Sequence, residues 1–236
     1  MTGKVLIDGD IVAYRASFSA QDKEVEKAIQ TTDELMQYIW DKTVDIPFPD
    51  TSDYHVYLTG WDNFRFDVAK SHPYKGNRKS KKPKHLQDVR LHLINKYPTT
   101  VSDGEEADDL IAMEATRLGP ETIIVSIDKD FKQVPCVHYN FNTDQWASVE
   151  EWDGLKYFYE QILTGDDIDN IKGLYGVGPV KAQKMLEGSS TEKDLWDACV
   201  KAYDGDVDRV LENARLLWLR RYEGQMWEPP KGATDD

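Results

Sequence analysis

The sequence predicts an α/β fold in which a mainly parallel sheet with flanking helices is followed by a helical C-terminal region. Three observations support this prediction. Short apolar runs recur in the first part of the chain without the alternation of half-exposed strands, which is typical of buried parallel strands. Helix-like patterns lie between these runs. After about residue 155 the strand signals stop, and helical patterns continue.

The predicted strands all end close to acidic residues. The strands are the runs at residues 4–7, 55–59 and 122–127. Asp8, Asp62 and Asp128 follow them in that order. Ligands of open α/β sheets bind beyond the carboxyl ends of the strands, so we expect these three side chains to lie at one edge.

The helices between the strands are predicted at residues 22–42 and 105–118. Ser102 and Glu105 have the spacing of a capping box that opens the second of these helices. On that helix Glu105, Asp108 and Asp109 would share one face. Further helices are predicted at residues 155–163, 179–186, 191–203 and 207–222, and residues 227–236 are predicted to form a loosely held tail.

Composition narrows the class of protein. No window approaches 18 apolar residues, which excludes a membrane span, and the first residues lack the apolar core of a secretion signal. Cys136 and Cys199 form no CxxC pattern, so a disulfide framework or a cysteine zinc site is not expected. We therefore expect a cytoplasmic protein that acts without a membrane.

Although the net charge is −14, one segment of the chain is strongly basic. Residues 70–85 carry seven lysines and arginines and no acid. Four of these lysines, Lys79, Lys81, Lys82 and Lys84, are predicted to face phosphates, although a charge run can also be a plain solvated loop.

The acidic clusters point to a metal site. Carboxylates that converge in one cleft repel one another, and cations offset that repulsion. Oxygen ligands suit Mg²⁺ or Mn²⁺, and two such ions can clamp a phosphodiester for attack by water. Each cluster by itself also fits a turn, a helix cap or a loop.

A glycine-rich turn stands out in the second half of the chain. Gly173, Gly176 and Gly178 lie between two predicted helices, and Lys181 follows on the second helix. Such a helix–turn–helix suits binding to a nucleic-acid backbone without sequence preference. A plain αα-hairpin is the alternative.

Six motifs follow one another along the chain. They are LIDGD (6–10), WD (61–62), YKGNR (74–78), EADD (106–109), SIDKDF (126–131) and GDDIDNIKGLYGVGPVKA (165–182). In this order they resemble the 5′ nuclease superfamily, which contains flap endonucleases and 5′–3′ exonucleases, and phage 5′–3′ exonucleases are the most similar group. The resemblance covers about residues 4–190. It implies a PIN-like, Rossmann-like nuclease core at residues 1–160 with a short basic arch at about 70–98, and a helical H3TH DNA-binding region and tail at 161–236.

The resemblance implies roles for individual residues. Lys75 and Arg78 match the catalytic basic pair that contacts the scissile phosphate, and residues 173–181 match the duplex-gripping turn, which in this family often holds K⁺. Asp10 and Asp167 are additional acids. Glu105 is an alternative to Glu106 as a metal ligand. We favour Glu106 because Glu106 lies in the EADD frame. The first metal would be held by Asp8, Asp62, Glu106, Asp108 and Asp128, and the second by Asp109, Asp130, Asp166 and Asp169.

The implied function is a two-metal 5′–3′ exonuclease or flap endonuclease that acts on duplex, junction or 5′-end DNA as a monomer. RNA in RNA–DNA hybrids is a further implied substrate, and phage DNA replication or degradation of host DNA is the implied setting. The short segment between YKGNR and EADD leaves open whether a 5′ strand is threaded. A non-catalytic junction-binding protein and a PIN-type ribonuclease are the two alternatives.

Overall fold

The computed structural model describes residues 4–44 and 53–233. Its helices are α1 (Gly9–Ser19), α2 (Val25–Thr43), α3 (Arg65–Val68), α4 (Leu86–Lys96), α5 (Ala107–Leu118), α6 (Glu151–Thr164), α7 (Pro179–Met185), α8 (Glu192–Ala202) and α9 (Val207–Leu217). Its strands are β1 (Val5–Asp8), β2 (Tyr54–Leu58), β3 (Thr99–Val101), β4 (Ile123–Val125), β5 (Val137–Asn140), β6 (Gln145–Ser148), β7 (Gly165–Asp166) and β8 (Ile171–Lys172).

The chain divides into two compact units. The first unit contains residues 1–63 and 80–149, and the second contains residues 64–79 and 150–236. The whole YKGNR motif (74–78) therefore belongs to the same unit as the C-terminal helices. Within the described ranges, no helix is long and apolar enough to cross a membrane.

The first unit is built on a six-stranded sheet with the order β3-β2-β1-β4-β5-β6. The first five strands of this order are parallel neighbours, and β6 pairs antiparallel with β5. Val5 and Leu6 of the central strand β1 are fully buried, as a strand covered on both faces requires. The predicted α/β class with a mainly parallel sheet is confirmed.

Helix α4 belongs to the core of the first unit. Its apolar side chains Leu86, Val89 and Leu93 are all buried in the same cluster as β1 and β2. The part of the predicted arch at residues 86–96 is therefore a packed helix, because its apolar stripe needs a partner surface.

The start of α5 differs from the sequence prediction. The helix begins at Ala107, and its capping box is formed by Glu106 and Asp109 rather than by Ser102 and Glu105. The Ser102 hydroxyl instead donates to the carbonyl of Glu105 at 2.6 Å and accepts the amide of Gly60 at 2.9 Å. The serine is drawn away from the helix because the loop after β2 passes against it: a Cβ at Gly60 would lie 2.0 Å from the Ser102 carbonyl oxygen.

Several elements are missing from the sequence prediction. Helix α1 was not predicted, because it follows β1 without a loop and its helical pattern merges with the strand pattern. Strands of three or four residues are too short for a periodic signal. Helix α9 ends at Leu217 rather than at 222, because Arg65 donates to the carbonyls of Leu216 at 2.8 Å and Trp218 at 2.9 Å. The strands that were not predicted are β3, β5, β6 and the two-residue strands β7 and β8.

The second unit is mainly helical, as predicted. Its core is rich in aromatic residues and includes Phe158, Trp196 and Trp227. Trp227 is only 5% exposed, and its ring lies 5.5 Å from that of Trp196. The prediction of a loose tail from 227 is therefore wrong at its first residue, since the indole has an apolar pocket to fill; residues 234–236 lie outside the described part of the chain.

Candidate functional site

Asp8 is the centre of an acidic edge in the first unit. It ends the buried strand β1 and caps α1, and its Oδ1 accepts the amide of Ile11 at 3.2 Å. Its Oδ2 accepts the hydroxyl of Ser126 at 2.7 Å. The residue is 2% exposed, so water contributes little to its solvation.

The surroundings of Asp8 disfavour its charge. Burial is the main cause, followed by the negative charge of Asp10, and together with Asp128 they raise the pKa of Asp8 to about 7. The hydrogen bonds from Ser126 and Ile11 oppose this shift and are outweighed. Such a carboxylate gains stability from a proton or from a bound cation.

Asp128 joins this edge from the neighbouring strand. Strand β4 pairs with β1 so that Val125 lies beside Ile7, which brings the residues after β4 next to Asp8. The Asp128 amide donates to the Ser126 hydroxyl at 3.0 Å. Its Oδ1 accepts the amide of Asp130 at 2.9 Å at the start of a short 3₁₀ helix, Lys129–Gln133.

The acids of the EADD motif lie at the start of α5, which is anchored at the end of β2. The amide of Ala107 donates to the hydroxyl of Thr59 at 3.0 Å. Asp109 is fully buried, and its Oδ2 accepts the amide of Glu106 at 3.3 Å. Glu105 and Glu106 are each 9% exposed, so burial does not distinguish between them. Asp108 is half-buried in the first turn.

Asp62 has a more open position. It lies beyond the end of β2, is exposed, and its Oδ1 accepts the amide of Asn63 at 2.8 Å. Its role as a metal ligand stays a prediction.

Asp10 belongs to a hydrogen-bond network that the sequence did not indicate. The Arg90 guanidinium pairs with Asp10 and also donates to the Thr59 carbonyl at 2.5 Å. The Thr59 amide returns a hydrogen bond to Asp10 Oδ2 at 2.9 Å. The three residues connect α1, α4 and the end of β2. Nothing near Arg90 in the sequence points to this partner, because the contact spans 80 positions.

The donor set suits a hard divalent cation, because carboxylate oxygens predominate at this edge and one of them is buried and strongly disfavoured as a bare charge. Within residues 4–44 and 53–233, however, no group of three or more His, Cys, Asp or Glu side chains is arranged to hold a metal ion. The edge is held together instead by Ser126 and by the pairing of Asp10 with Arg90.

In the second unit, the YKGNR motif packs against the GDDIDN loop. Tyr74 is 5% exposed, and its hydroxyl donates to Asp169 at 2.8 Å. Asp169 also pairs with Arg78 at 2.6 Å and with the Lys75 ammonium at 3.7 Å. Asp166 is buried, and its Oδ1 accepts the amides of Ile168 and Asp169, which closes the loop.

The start of the basic stretch is also anchored in this unit. Glu212 accepts hydrogen bonds from the amides of Lys70 and Ser71, at 2.8 and 2.7 Å, and from the Ser71 hydroxyl. Burial tends to raise the pKa of Glu212, but these donors and Arg209 lower it overall. Residues 70–78 are therefore built into the second unit rather than forming a solvated loop.

The lysines that follow are exposed. Lys79 belongs to the second unit, whereas Lys81, Lys82 and Lys84 belong to the first. Their side chains are open to solvent, as contacts with phosphates require.

Two glycines of the glycine-rich turn are required for different structural reasons. A Cβ at Gly173 would lie 2.2 Å from the backbone of Thr164, so only glycine fits there. Gly176 has φ +69°, a conformation that favours glycine, whereas a Cβ at Gly178 would meet open space. Lys181 is exposed on α7.

A mainly parallel sheet with flanking helices, together with a helical region, is the class of fold found in the T5 D15 protein, whose structure was solved with metal ions. The two chains superpose with a TM-score of 0.72 over 91% of this chain and 89% of that one, at 16% identity. Human GEN1, solved with Holliday junction DNA, gives a TM-score of 0.55 at 14% identity over 96% of this chain and 64% of that one. No family model matches the sequence.

The chain belongs to the family of 5′–3′ exonucleases and flap endonucleases. It is 30% identical to the 5′–3′ exonuclease of Mycoplasma pneumoniae over 232 residues, which cover 83% of this chain and 75% of that protein. It is 33% identical to flap endonuclease Xni of Shewanella piezotolerans over 56% of this chain and 58% of the relative. It is 35% identical to DNA polymerase I of Rhizobium leguminosarum over 50% of this chain and 11% of the polymerase. The match thus spans less than two thirds of the last two relatives.

Proposed function

We propose that this chain is a divalent-metal-dependent 5′ nuclease that hydrolyses DNA phosphodiester bonds at or near 5′ ends. The observation that carries the proposal is the buried carboxylate of Asp8, which ends a central parallel strand and feels the charges of Asp10 and Asp128. The names of the relatives, 5′–3′ exonuclease and flap endonuclease, support the reaction class.

Mg²⁺ or Mn²⁺ matches the oxygen donors of this edge. Asp8 and Asp128 would hold the ion together with acids at the start of α5 and in the 3₁₀ helix. The T5 D15 protein crystallised with metal ions, which supports a metal requirement in this fold. When bound, such ions polarise the phosphate and activate the attacking water. The assignment of Asp109, Asp130, Asp166 and Asp169 to a second ion stays a prediction.

The basic side chains of the protein would have a role separate from that of the metal ions. Lys75 and Arg78 would stabilise the negative charge that builds on the phosphate in the transition state. The exposed lysines and the glycine-rich turn would hold the DNA backbone without reading its sequence. A T5 D15 variant crystallised with DNA and metal ions, which supports DNA as the partner.

Several finer points remain predictions of the resemblance. They are cleavage of RNA in RNA–DNA hybrids, K⁺ in the glycine-rich turn, the monomeric state, the cytoplasmic location, and the part played in phage replication or host DNA degradation.

A cleavage panel tests the proposal. Blunt, nicked, gapped, 5′-flapped and hybrid duplexes, labelled at the 5′ end, are incubated with the protein and Mg²⁺, and then with EDTA. We expect short 5′-terminal products that disappear with EDTA and with Asp128→Ala. Binding of flapped DNA without any cleavage would support the junction-binding alternative. Cleavage of single-stranded RNA alone would support the PIN-type ribonuclease.

A further inference from the structure

We infer that Arg90 is a positioning residue of the acidic edge, which holds the Asp10 carboxylate in an ion pair and so keeps Asp10 from becoming a further ligand of the metal ion. The inference rests on the proposed function, because it concerns the ion of that reaction. In the sequence Asp10 was only an additional acid of the LIDGD motif, and Arg90 lies outside the six motifs.

Both oxygens of the Asp10 carboxylate have donors. Oδ1 accepts from the Arg90 guanidinium, and Oδ2 accepts the amide of Thr59 at 2.9 Å. The side chains of Asp10 and Arg90 are 22% and 18% exposed, so salt screens this pair less than it would at an open surface. Two donors from different elements therefore fix the direction of the carboxylate.

The guanidinium of Arg90 also fixes Thr59. Its second nitrogen donates to the Thr59 carbonyl at 2.5 Å, and the Thr59 hydroxyl accepts the amide of Ala107 at 3.0 Å. Ala107 is the first residue of α5 and lies inside the EADD motif. The network that holds Asp10 thus also places the start of the helix that carries the EADD acids.

Helix α4 is a firm support for Arg90. Its apolar residues Leu86, Val89 and Leu93 are buried in the core of the first unit. A guanidinium presents several donors in a rigid, planar arrangement, so one side chain on this helix can hold both the carboxylate and the carbonyl.

Asp10 is an electrostatic neighbour of Asp8. Asp8 caps α1, and Asp10 lies in the first turn of the same helix. After burial, the charge of Asp10 is the next cause of the raised pKa of Asp8, and Asp128 contributes as well. The edge also carries the EADD acids and Asp130, whose carboxylate lies 4.0 Å from the ammonium of Lys129. Without Arg90, Asp10 would therefore add an uncompensated charge to an edge that is already acidic.

The consequence concerns how the edge binds cations. An additional negative charge beside Asp8 increases the attraction for a divalent ion. An additional carboxylate on that ion would also reduce its effective positive charge, and with it the polarisation of the phosphate and of the attacking water. By holding Asp10, Arg90 lowers the affinity for Mg²⁺ and favours the reaction.

The test uses the full chain and changes both partners of the pair. The variants are Arg90→Met, Asp10→Asn and the double variant. Calorimetry without DNA gives the Kd for Mg²⁺, a 5′-flapped duplex gives kcat and KM, and circular dichroism checks the fold. We expect Arg90→Met to bind Mg²⁺ roughly 10-fold more tightly, whereas kcat falls roughly 10- to 100-fold because the start of α5 is no longer fixed.

The remaining variants show whether the effect passes through Asp10. Asp10→Asn leaves the Arg90 charge at the edge without its partner, so Mg²⁺ binding should weaken. The double variant removes both charges, and its Kd should return close to that of the unmodified protein. If Arg90→Met does not fold, Arg90→Gln replaces it, since glutamine keeps a donor without the charge, and the same tighter binding is expected.

Arg117→Met is the matched control. Arg117 lies on α5 in the same unit, is 65% exposed and pairs with Glu114 at 2.7 Å. Its replacement removes one positive charge from the protein without touching the network of Asp10. The Kd for Mg²⁺ and kcat should therefore stay unchanged.

Three results would overturn the inference. The first is equal or weaker Mg²⁺ binding by a folded Arg90→Met variant, which is the outcome of a purely structural ion pair. The second is a double variant that binds Mg²⁺ as tightly as Arg90→Met does, and the third is an unchanged kcat in Arg90→Met. An unmodified protein that neither binds Mg²⁺ nor cleaves DNA would instead refute the proposed function, so the two failures are distinguishable.

Discussion

The Ser126 hydroxyl donates a hydrogen bond to the Asp8 carboxylate at 2.7 Å. The same hydroxyl accepts the amide of Asp128 at 3.0 Å, so one serine connects the ends of two adjacent parallel strands. The acidic edge is therefore organised by a neutral residue between two acids. Loss of this hydroxyl would leave a buried carboxylate with one donor fewer.

Ser126→Ala should destabilise the protein and reduce cleavage. Loss of a hydrogen bond to a buried charged group costs about 1–3 kcal/mol of the free energy of unfolding. Urea unfolding followed by circular dichroism measures this change, and Ser80→Ala, at an exposed serine, is the control. A free energy of unfolding within error of the unmodified protein would show that the edge does not depend on Ser126.

Asp8→Asn should separate stability from function. Removal of a buried negative charge should raise the melting temperature without Mg²⁺ at neutral to mildly alkaline pH, whereas cleavage should be lost. In the unmodified protein Mg²⁺ should stabilise the fold, by about 2.7 kcal/mol at a concentration of 100 times Kd. The variant should lose most of this shift, and Asp41→Asn on α2 should keep it. An equal Mg²⁺ shift in Asp8→Asn would place the ion elsewhere.

The exposed lysines should determine how DNA binding depends on salt. Replacement of Lys79, Lys81, Lys82 and Lys84 by alanine should flatten the plot of log Kd against log salt concentration, by about 0.9 for each phosphate that is no longer neutralised. Fluorescence anisotropy with labelled duplex in EDTA measures the slope. The control replaces the exposed lysines Lys132, Lys193, Lys201 and Lys231. If both sets of substitutions change the slope equally, the effect reflects net charge and not a DNA-facing patch.

Asp33 should contribute to stability in a pH-dependent way. Burial alone would raise its pKa, but hydrogen bonds from Lys96, Tyr97 and His92 outweigh burial and lower the pKa to about 2. In the unfolded chain the pKa is near its ordinary value of 3.8. The stabilisation is therefore complete above the unfolded value and is lost as pH falls through the folded value.

Urea unfolding at a series of acidic pH values tests this assignment. Asp33→Asn should lower stability at neutral pH and should flatten the loss of stability between the two pKa values. Asp41→Asn on the same helix, at an exposed site, should leave the curve unchanged. If the Asp33→Asn variant loses stability with falling pH just as the unmodified protein does, other carboxylates cause that acid dependence.

Much of the fold followed from local patterns. The runs at β1, β2 and β4 are short and apolar because both faces of a parallel strand are covered, and that composition is visible in the sequence. The order of the motifs also indicated the family, since six of them agree over most of the chain. Glycine at 173 and 176 marked a turn, for which the structure supplies a close backbone approach and a positive φ.

The sequence by itself determined the class of fold, the positions of the acids after the strands and the family, because these depend on residue type and local spacing. Only the tertiary structure decided the partners of the charged groups. Arg90 pairs with Asp10 across 80 positions and Arg78 with Asp169 across 91, and no local pattern encodes such pairs. The cap of α5 was decided in the same way, because the loop after β2 occupies Ser102 and leaves Glu106 to begin the helix.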